Sequence, residues 1–344
     1  MTSPHEATGE SARPAARCSF CGYAIPRTPL VLDDANETFC SEACADAFEE
    51  RDGSFAGHHG YKRLRTGVEA LDATLPRGVP ANAAILLSGE AGTRRTELYT
   101  ELVWRALARG EPAVVVSFDD PPAAVVERFL DFDWNVLPAI ERDDLRLLDC
   151  RAGGVDGRNP SESGESDWFA FLSDTIEDAV VDVDDPGDVE AVLDTVEDVV
   201  DEVGMSETGL IVVDSLSTVA EAVGGNAGPT ATQGENDGRR AVREFVATLK
   251  AGVCTPRFVP AFVVVDAGES ALRAAHFDGV IDMWLDGNRM ADERIPRLSV
   301  RKMVGTPHDP GWVTYESAGG SGLVPTESVG NGGRTGEEPF RSDG

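Results

Sequence analysis

The chain has 344 residues, of which 41% are hydrophobic, and its 61 acidic and 30 basic side chains give a formal net charge of −31. This length is sufficient for one large domain with a substantial core and a small second module. No segment reaches the roughly 20 consecutive apolar residues of a membrane-spanning helix, and the first residues lack the apolar run of a signal peptide. The composition disfavours a helical membrane protein, and we expect a cytoplasmic one.

The acidic excess is spread along the whole chain, and lysine occurs only at Lys62, Lys250 and Lys302. Self-repulsion weakens a compact fold in dilute buffer and is screened in concentrated salt, where the Debye length falls to about 3 Å at 1 M. The composition therefore predicts a protein of haloarchaeal type, adapted to a salt-rich cytoplasm. An acidic tail or a nucleic-acid mimic is the competing interpretation, and a nucleic-acid partner is disfavoured.

The amino-terminal part contains two cysteine pairs, Cys18-x-x-Cys21 and Cys40-x-x-x-Cys44. Structural Zn²⁺ sites use four soft ligands in a tetrahedron, and each short pair can form one side of it. Clustered cysteines in a reducing compartment favour metal binding over disulfides. The spacing predicts one zinc ion held by the four thiolates, structural rather than sensory. The alternative is that the four cysteines are ordinary core residues.

This module resembles the TRASH and FCS zinc-finger families, and a small archaeal ribosomal protein with a similar Cys-Ser-Phe-Cys-Gly stretch, over residues 17–52. The resemblance implies a zinc-binding adaptor, and we expect an unidentified protein partner to bind there. Residues 1–16 are predicted to be a disordered tail and residues 53–60 a linker. Ser41 is placed to cap a short helix over residues 42–51.

From residue 61 onward, apolar strands such as AAILLSG, PAVVVSF, DLRLLDC and GLIVVD alternate with amphipathic helical patterns. Strands that are apolar on both faces indicate a parallel sheet covered on both sides by helices. We predict a doubly wound α/β domain over residues 61–320, with a surface loop at 151–167 and a disordered tail at 321–344. Asp188 is predicted to begin a helix that ends at Gly204.

The segment LLSGEAGTRRTEL joins a predicted strand to the next helix, where a phosphate-binding loop is expected. Glycine allows the backbone to approach a phosphate closely, and the N-terminus of a helix attracts anions. Two arginines at that terminus oppose the helix dipole unless an anion lies between them. An ordinary turn into a helix is the alternative. The candidate binding residues are Gly89, Gly92, Thr93, Arg94, Arg95 and Thr96.

The predicted strand GLIVVD ends in Asp214. An aspartate at the end of a strand can hold Mg²⁺ through water opposite a phosphate loop. Together with the loop, Asp214 predicts a site for ATP or ADP with Mg²⁺.

These motifs and their order resemble the RecA superfamily in its archaeal KaiC-like branch, over residues 61 to about 316. The resemblance lies in TGVEALDATLPRGVP, GEPAVVVSFDDPP, LIVVDSLS, and HFDGVIDMWLD followed by RLSVRKMVGT. It implies a RecA-like, mostly parallel sheet with the nucleotide at the carboxyl ends of the strands.

The chain departs from the pattern of that family. The family loop reads GxxGxGK[ST], and here Arg94 replaces a glycine and Arg95 replaces the lysine. The family's water-activating glutamate pair corresponds to Asp119 and Asp120, the candidate catalytic residues, each one methylene shorter. Val304 stands where the family has the arginine of Lys-x-Arg-Gly, which in assembled rings reaches the neighbour's phosphate.

We therefore expect a cytoplasmic regulatory or signal-transduction protein. Its KaiC-like domain would bind a nucleotide or another phosphate ligand with little or no hydrolysis, as a pseudo-ATPase, and could assemble into a homo-oligomer. One alternative is a slow ATPase in which Arg95 replaces the lysine, and another is a nucleotide-free scaffold. A zinc-dependent transcription factor would need a basic face that the sequence lacks.

Overall fold

The computed structural model describes residues 18–20, 31–32, 38–39, 41–51, 63–151, 167–217, 231–266, 274–288 and 293–326. The chain divides into two units, Met1–Lys62 and Arg63–Gly344. Among the described residues, no helix is both long and apolar enough to cross a membrane.

The first unit contains an antiparallel pair of short strands, β1 (Val31–Leu32) and β2 (Thr38–Phe39), followed by helix α1 (Glu42–Arg51). The N–H of Cys44 donates to Ser41 Oγ at 3.2 Å, which confirms the predicted helix cap. Capping satisfies one of the backbone donors that the first turn of a helix leaves without an intrahelical partner.

The second unit alternates strands and helices. Its strands are β3 Arg63–Leu64, β4 Val79–Pro80, β5 Ala84–Gly89, β6 Ala113–Ser117, β7 Leu145–Asp149, β8 Val180–Asp182, β9 Leu210–Asp214, β10 Ala261–Asp266, β11 Gly279–Asn288, β12 Glu293–Met303, β13 Val313–Ser317 and β14 Leu323–Pro325. Its helices are α2 Glu69–Asp72, α3 Arg95–Ala108, α4 Pro122–Asp131, α5 Leu137–Ile140, α6 Asp167–Ile176, α7 Val189–Glu202, α8 Ala231–Thr248 and α9 Thr255–Arg257, with a π-helical turn Leu249–Cys254 before α9.

Within the described residues, ten of these strands form one sheet in the order β14-β13-β12-β11-β5-β10-β9-β6-β7-β8. The pairs from β11 to β8 are parallel, and β12, β13 and β14 extend one edge as antiparallel strands. This confirms the predicted doubly wound, mostly parallel α/β sheet. Gly89 aligns with Asp266, and Ser117 aligns with Asp214, so these strand ends lie along one edge of the sheet.

Alternate residues of the central strands enter two hydrophobic layers. Ile85 and Leu87 of β5 pack with α3 and α4 on one face, whereas Ala84 and Leu86 pack with α7 and α8 on the other. Every residue of β5 and β6 is buried. Burial on both faces explains why these strands read as continuous apolar runs rather than as an alternating pattern.

Helix α7 follows the sequence prediction closely. Asp188 accepts a hydrogen bond from the Glu190 N–H at 3.0 Å, and Gly204 follows the helix with φ +68°. Met205 N–H then donates to Val200 O at 2.9 Å, which closes the helix end as in a Schellman motif. Helix α6 and strand β8 were not predicted, and α6 begins at Asp167, the last residue of the expected loop.

The edge strand β14 lies within the segment expected to be a disordered tail. Its Leu323 N–H donates to the buried carboxylate of Glu101 on α3 at 2.7 Å. Arg105, also on α3, bonds to Glu101 and donates to the Ser321 carbonyl at 2.7 Å. These long-range contacts, which the local sequence does not reveal, extend the domain to Pro325.

Candidate functional site

The predicted phosphate loop lies between β5, which ends at Gly89, and α3, which begins at Arg95. Thr93 is buried, and its hydroxyl donates to the Glu90 carbonyl at 2.7 Å, which closes the loop as a tight turn. A Cβ at Gly89 would lie 2.7 Å from Thr93 Oγ1, so this turn requires glycine. Gly92 has φ +89°, in the region that favours glycine.

Arg94 takes the backbone conformation that a glycine would take. Its φ of 59° and ψ of 34° are left-handed, and it precedes the first residue of α3. The Arg94 side chain is half exposed and pairs with the buried Glu97 at 3.1 Å. Arg94 therefore holds a left-handed backbone at the start of α3, at a cost in backbone strain.

Arg95, which the sequence predicts to replace the family's lysine, donates to two carbonyl oxygens. Its Nη1 lies 2.8 Å from Gly89 O and 2.6 Å from Val265 O, at the ends of β5 and β10. The side chain thus bridges two strand ends. Its neighbour Thr96 is exposed on the first turn of α3. The N–H groups of such a turn have no intrahelical partners and can bind an anion.

Asp214 ends β9 and accepts a hydrogen bond from Tyr99 of α3, whose hydroxyl lies 2.6 Å from Asp214 Oδ2. The Tyr99 hydroxyl in turn accepts a hydrogen bond from Arg128 Nη1 of α4 at 2.6 Å. Burial raises the pKa of Tyr99, and the neighbouring carboxylate of Asp214 raises it further. Burial also raises the pKa of Asp214, whereas the hydrogen bond from Tyr99 lowers it.

The candidate catalytic pair lies just after β6, beside this network. Asp120 forms an ion pair with Arg128, and its N–H donates to Ser117 Oγ at 3.2 Å. Asp119 is exposed and accepts a hydrogen bond from Ser215 Oγ at 3.3 Å. The structure therefore brings Asp119, Asp120 and Asp214 to one end of the sheet, but Asp120 is neutralised by an arginine.

The oxygen ligands expected for Mg²⁺ do not fit the ion in this arrangement. Mg²⁺ demands near-octahedral oxygen coordination and retains several waters. Asp214 gives one carboxylate oxygen to Tyr99, and Asp120 is paired with the cationic Arg128. Thr96 is exposed on the loop side of the site. A dication that used Asp214 Oδ2, or the Asp120 oxygen that Arg128 engages, would have to displace these partners.

Sequence reasoning missed Tyr99 and Arg128. Tyr99 is one of the apolar positions of an amphipathic helix, where a tyrosine reads as core, and it is indeed 2% exposed. Arg128 reads as a solvated position on the next helix. Their contact with each other, and with Asp214 far along the chain, depends on how α3 and α4 pack on the sheet.

At the far end of the domain, Lys302 donates to the Phe277 carbonyl at 2.6 Å, and Val304 is 54% exposed. Gly305 has φ +82°, and its carbonyl accepts a hydrogen bond from Arg63. Within the described residues, the hydrogen bonds of Lys302 and Gly305 thus hold the backbone in place on either side of Val304.

Of the predicted zinc ligands, Cys18 and Cys44 are described, whereas Cys21 and Cys40 lie outside the described residues. Cys18 and Phe39 form a small buried cluster against which Cys44 and Phe48 pack. No group of three or more metal-binding side chains was found among the residues that the structure describes. The predicted tail 1–16 and linker 53–60 also lie outside them.

The fold and the loop define a RecA-like domain of the P-loop NTPase class, with a helix N-terminus and an acidic strand end at one edge of the sheet. A sequence model of the family described as "ATPase: KaiC" matches residues 64–324, and the chain belongs to this family. Membership suggests that the domain binds a nucleotide, as ATP with Mg²⁺ in the family at large.

Individual relatives agree with this assignment. A UPF0273 protein of Thermotoga maritima is 27% identical over 272 residues, which span 76% of this chain and 99% of that protein. A UPF0273 protein of Pyrococcus horikoshii is 25% identical over 248 residues, 72% of this chain and 87% of that one. The crystal structure of a KaiC-like protein from Pyrococcus horikoshii shares the fold, with a TM-score of 0.55 and 18% identity, over 77% of this chain and 99% of that chain.

Proposed function

We propose that this chain is a cytoplasmic regulatory protein whose KaiC-like domain binds a nucleotide or another phosphate ligand and hydrolyses it little or not at all. Binding is supported by the retained loop, with Gly89 and Gly92 before the N-terminus of α3. The observation that supports little or no hydrolysis is the ion pair of Asp120 with Arg128. The Asp120 carboxylate is engaged by the Arg128 guanidinium rather than presented to an attacking water.

The loop arginines support the same proposal. An arginine is planar and forked, so Arg95 does not reproduce the compact charge of the family's lysine. It is held by the carbonyls of Gly89 and Val265. With Val304 in place of the family's arginine, the chain lacks a side chain that a neighbouring subunit would supply to the phosphate. An arginine supplied in this way raises the rate of phosphoryl transfer by a factor on the order of 10³ to 10⁵.

The proposal predicts ligand-dependent stabilisation without turnover. In multimolar KCl, ATP or ADP at a hundredfold excess over Kd should stabilise the fold by about 2.7 kcal/mol, because a ligand that binds only the folded state adds RT ln(1 + [L]/Kd). Arg95→Ala should reduce that increment, because it removes the side chain that ties the start of α3 to the ends of β5 and β10. The measurement is thermal unfolding with and without nucleotide, in parallel with phosphate release. The matched control is Arg142→Ala, since Arg142 is exposed and pairs with Asp144 away from the loop.

The restored pair Arg94→Gly and Arg95→Lys should tighten ATP binding, because it returns close backbone approach and a compact charge to the loop. Hydrolysis should stay slow even then, since Asp120 and Val304 are unchanged. Slow phosphate release by the unaltered chain would favour the slow-ATPase alternative, and rapid release would contradict the proposal. Absence of any nucleotide-dependent stabilisation in every variant would favour the scaffold.

We also propose that Cys18, Cys21, Cys40 and Cys44 hold one zinc ion, with Zn–S distances of about 2.3 Å. The proposal is supported by the shared cluster of Cys18 and Cys44 with Phe39. It is further supported by the capped helix α1 that carries Cys44. In so small a module the metal would supply much of the folding free energy.

Zinc is tested by metal analysis and by cysteine alkylation at pH 8 with and without a chelator. Burial raises the pKa of Cys150 and of Cys254 to about 12, so neither thiol should form thiolate or react in the folded protein, with or without the chelator. The four amino-terminal cysteines should react only after the metal is removed. Cys40→Ser should abolish zinc binding while the second unit keeps its cooperative unfolding. Freshly purified protein without zinc would contradict the proposal.

We further propose that an unidentified protein binds the zinc module and that the KaiC-like domain forms a homo-oligomer. The second part is supported by the exposed apolar side chain of Val304. Sedimentation with and without ATP tests it, and a monomer under both conditions would contradict it.

A further inference from the structure

We propose that Tyr99 and Arg128 form an internal latch on the acidic side of the nucleotide site, so that nucleotide binds there without Mg²⁺. The inference rests on the proposed nucleotide binding and concerns which form of the ligand the site accepts. It assigns roles to two residues outside the family's motifs, and both act by positioning acids rather than by touching the ligand.

The latch is a continuous chain of hydrogen bonds across two helices and two strand ends. Arg128 on α4 donates to the Tyr99 hydroxyl at 2.6 Å, and Tyr99 on α3 donates to Asp214 Oδ2 at 2.6 Å. The second terminal nitrogen of Arg128 forms the ion pair with Asp120. One guanidinium therefore engages Asp120 directly and Asp214 through the tyrosine.

Burial makes this chain of contacts costly to break. Tyr99 is 2% exposed, and Arg128 and Asp214 are half-buried. A buried hydroxyl that loses its partners keeps the full desolvation penalty, so Tyr99 favours the arrangement in which both of its bonds are made. The hydrogen-bonded carboxylate of Asp214 is thereby kept turned toward α3.

The charges at this end of the site oppose a dication for the same reason. Burial raises the pKa of Asp214, and Arg128 and Arg95 oppose that shift by favouring the charged carboxylate. Mg²⁺ binding at Asp214 would place a double positive charge beside these two guanidinium groups, which offset two of the three carboxylates gathered there, Asp119, Asp120 and Asp214. In other P-loop NTPases the aspartate at the end of this strand helps to bind Mg²⁺, whereas here it binds a tyrosine.

The phosphates can be neutralised by groups other than the metal. The N-terminus of α3 carries a partial positive charge, and the half-exposed Arg94 stands on it. Arginine meets phosphate oxygens through two parallel N–H donors. The two arginines that replace the loop glycine and lysine thus supply positive charge to the phosphates, which compensates for the absence of the metal on the acidic side.

The test measures ATP affinity by calorimetry in concentrated KCl, with EDTA or with Mg²⁺. The wild-type chain should bind ATP no more tightly with Mg²⁺ than with EDTA. Tyr99→Phe removes one hydroxyl and opens the latch, so Mg²⁺ should tighten ATP binding by about tenfold in this variant, the size of a typical coupling between two ligands. Mn²⁺ resonance spectra in the presence of ADP should show a protein-bound ion in Tyr99→Phe and none in the wild type.

Arg128→Gln is the second variant, in case the first fails to fold, and it should gain the same metal dependence. Arg142→Gln is the matched control and should behave as wild type, because its ion pair lies elsewhere. Tenfold tightening by Mg²⁺ in the wild type would overturn the latch while leaving nucleotide binding in place. Folded variants with no metal dependence would also overturn it. No ATP binding by any protein under either condition would overturn the proposed function and the latch with it.

Discussion

At Arg94 the chain places an L-residue where the loop geometry suits glycine, with φ 59° and ψ 34°. The left-handed conformation costs an L-residue roughly 1–2 kcal/mol because Cβ crowds the following carbonyl. The arginine recovers part of this through its pair with Glu97, but a half-exposed ion pair contributes little. The residue therefore carries local strain at the mouth of the site, as functional loops often do.

This strain predicts a difference between two substitutions. Arg94→Ala and Arg94→Gly both lose the pair with Glu97, but only glycine relieves the backbone. After the greater entropy of unfolded glycine is subtracted, Arg94→Gly should be more stable than Arg94→Ala by about 1 kcal/mol. Guanidinium unfolding at constant ionic strength measures the difference. Equal stability would show that the left-handed conformation is not strained here.

At the scale of elements, helix α3 makes hydrogen bonds both to the nucleotide site and to the antiparallel edge of the sheet. Its first turns carry Arg95 and Tyr99, which bond to strand ends. Further along, Glu101 bonds to the first residue of β14, and Arg105 bonds to Ser321 just before that strand. Strand β13 adds a further brace, since the Tyr315 hydroxyl donates to the Thr93 carbonyl in the loop. The antiparallel edge strands thus fix the helix that presents the loop.

The contact between β14 and α3 predicts that Gly322 is indispensable. It has φ +79°, and a Cβ there would lie 2.2 Å from Cδ of the fully buried Glu101. Gly322→Ala should therefore lower the free energy of unfolding by about 3 kcal/mol, combining backbone strain with displacement of a buried carboxylate.

Gly319→Ala is the matched control. Gly319 also has a left-handed φ, +58°, but nothing lies within 4 Å of its added Cβ. It should cost only the backbone strain of about 1 kcal/mol. Equilibrium unfolding of both variants measures the gap, and equal losses would mean that β14 yields without disturbing Glu101.

For the whole molecule, we expect the net charge of −31 to affect stability more than any single contact does. Acidic side chains across the surface repel one another in dilute buffer, and salt screens that repulsion. We predict a Tm that rises steadily from dilute buffer to multimolar KCl. Calorimetric scans at matched pH measure it. The same Tm at both extremes would rule out the proposed adaptation to salt.

Much of the architecture was predictable because it depends on local patterns. The buried strands β5, β6 and β9 read as apolar runs, and α7 carried its own cap and its own stop at Gly204. Helix α6 and strand β8 were missed, since they are short and follow a polar stretch without a clear period. Strand β14 was missed because its stability comes from Glu101 and Arg105, more than 200 positions away.

The sequence by itself determined the order of the motifs, the loop glycines Gly89 and Gly92, and the position of Asp214 at a strand end, since each depends on residues close together in the chain. Only the tertiary structure decided what the charged groups do. It bonded Arg95 to two strand carbonyls and Tyr99 to Asp214, and it paired Arg128 with Asp120. The physical reason is that a parallel sheet gathers the ends of distant strands at one edge, and the helices packed across it select which polar groups meet. A carboxylate at such an edge can face a metal or a tyrosine with the same local sequence, and the packing of α3 against α4 determines which.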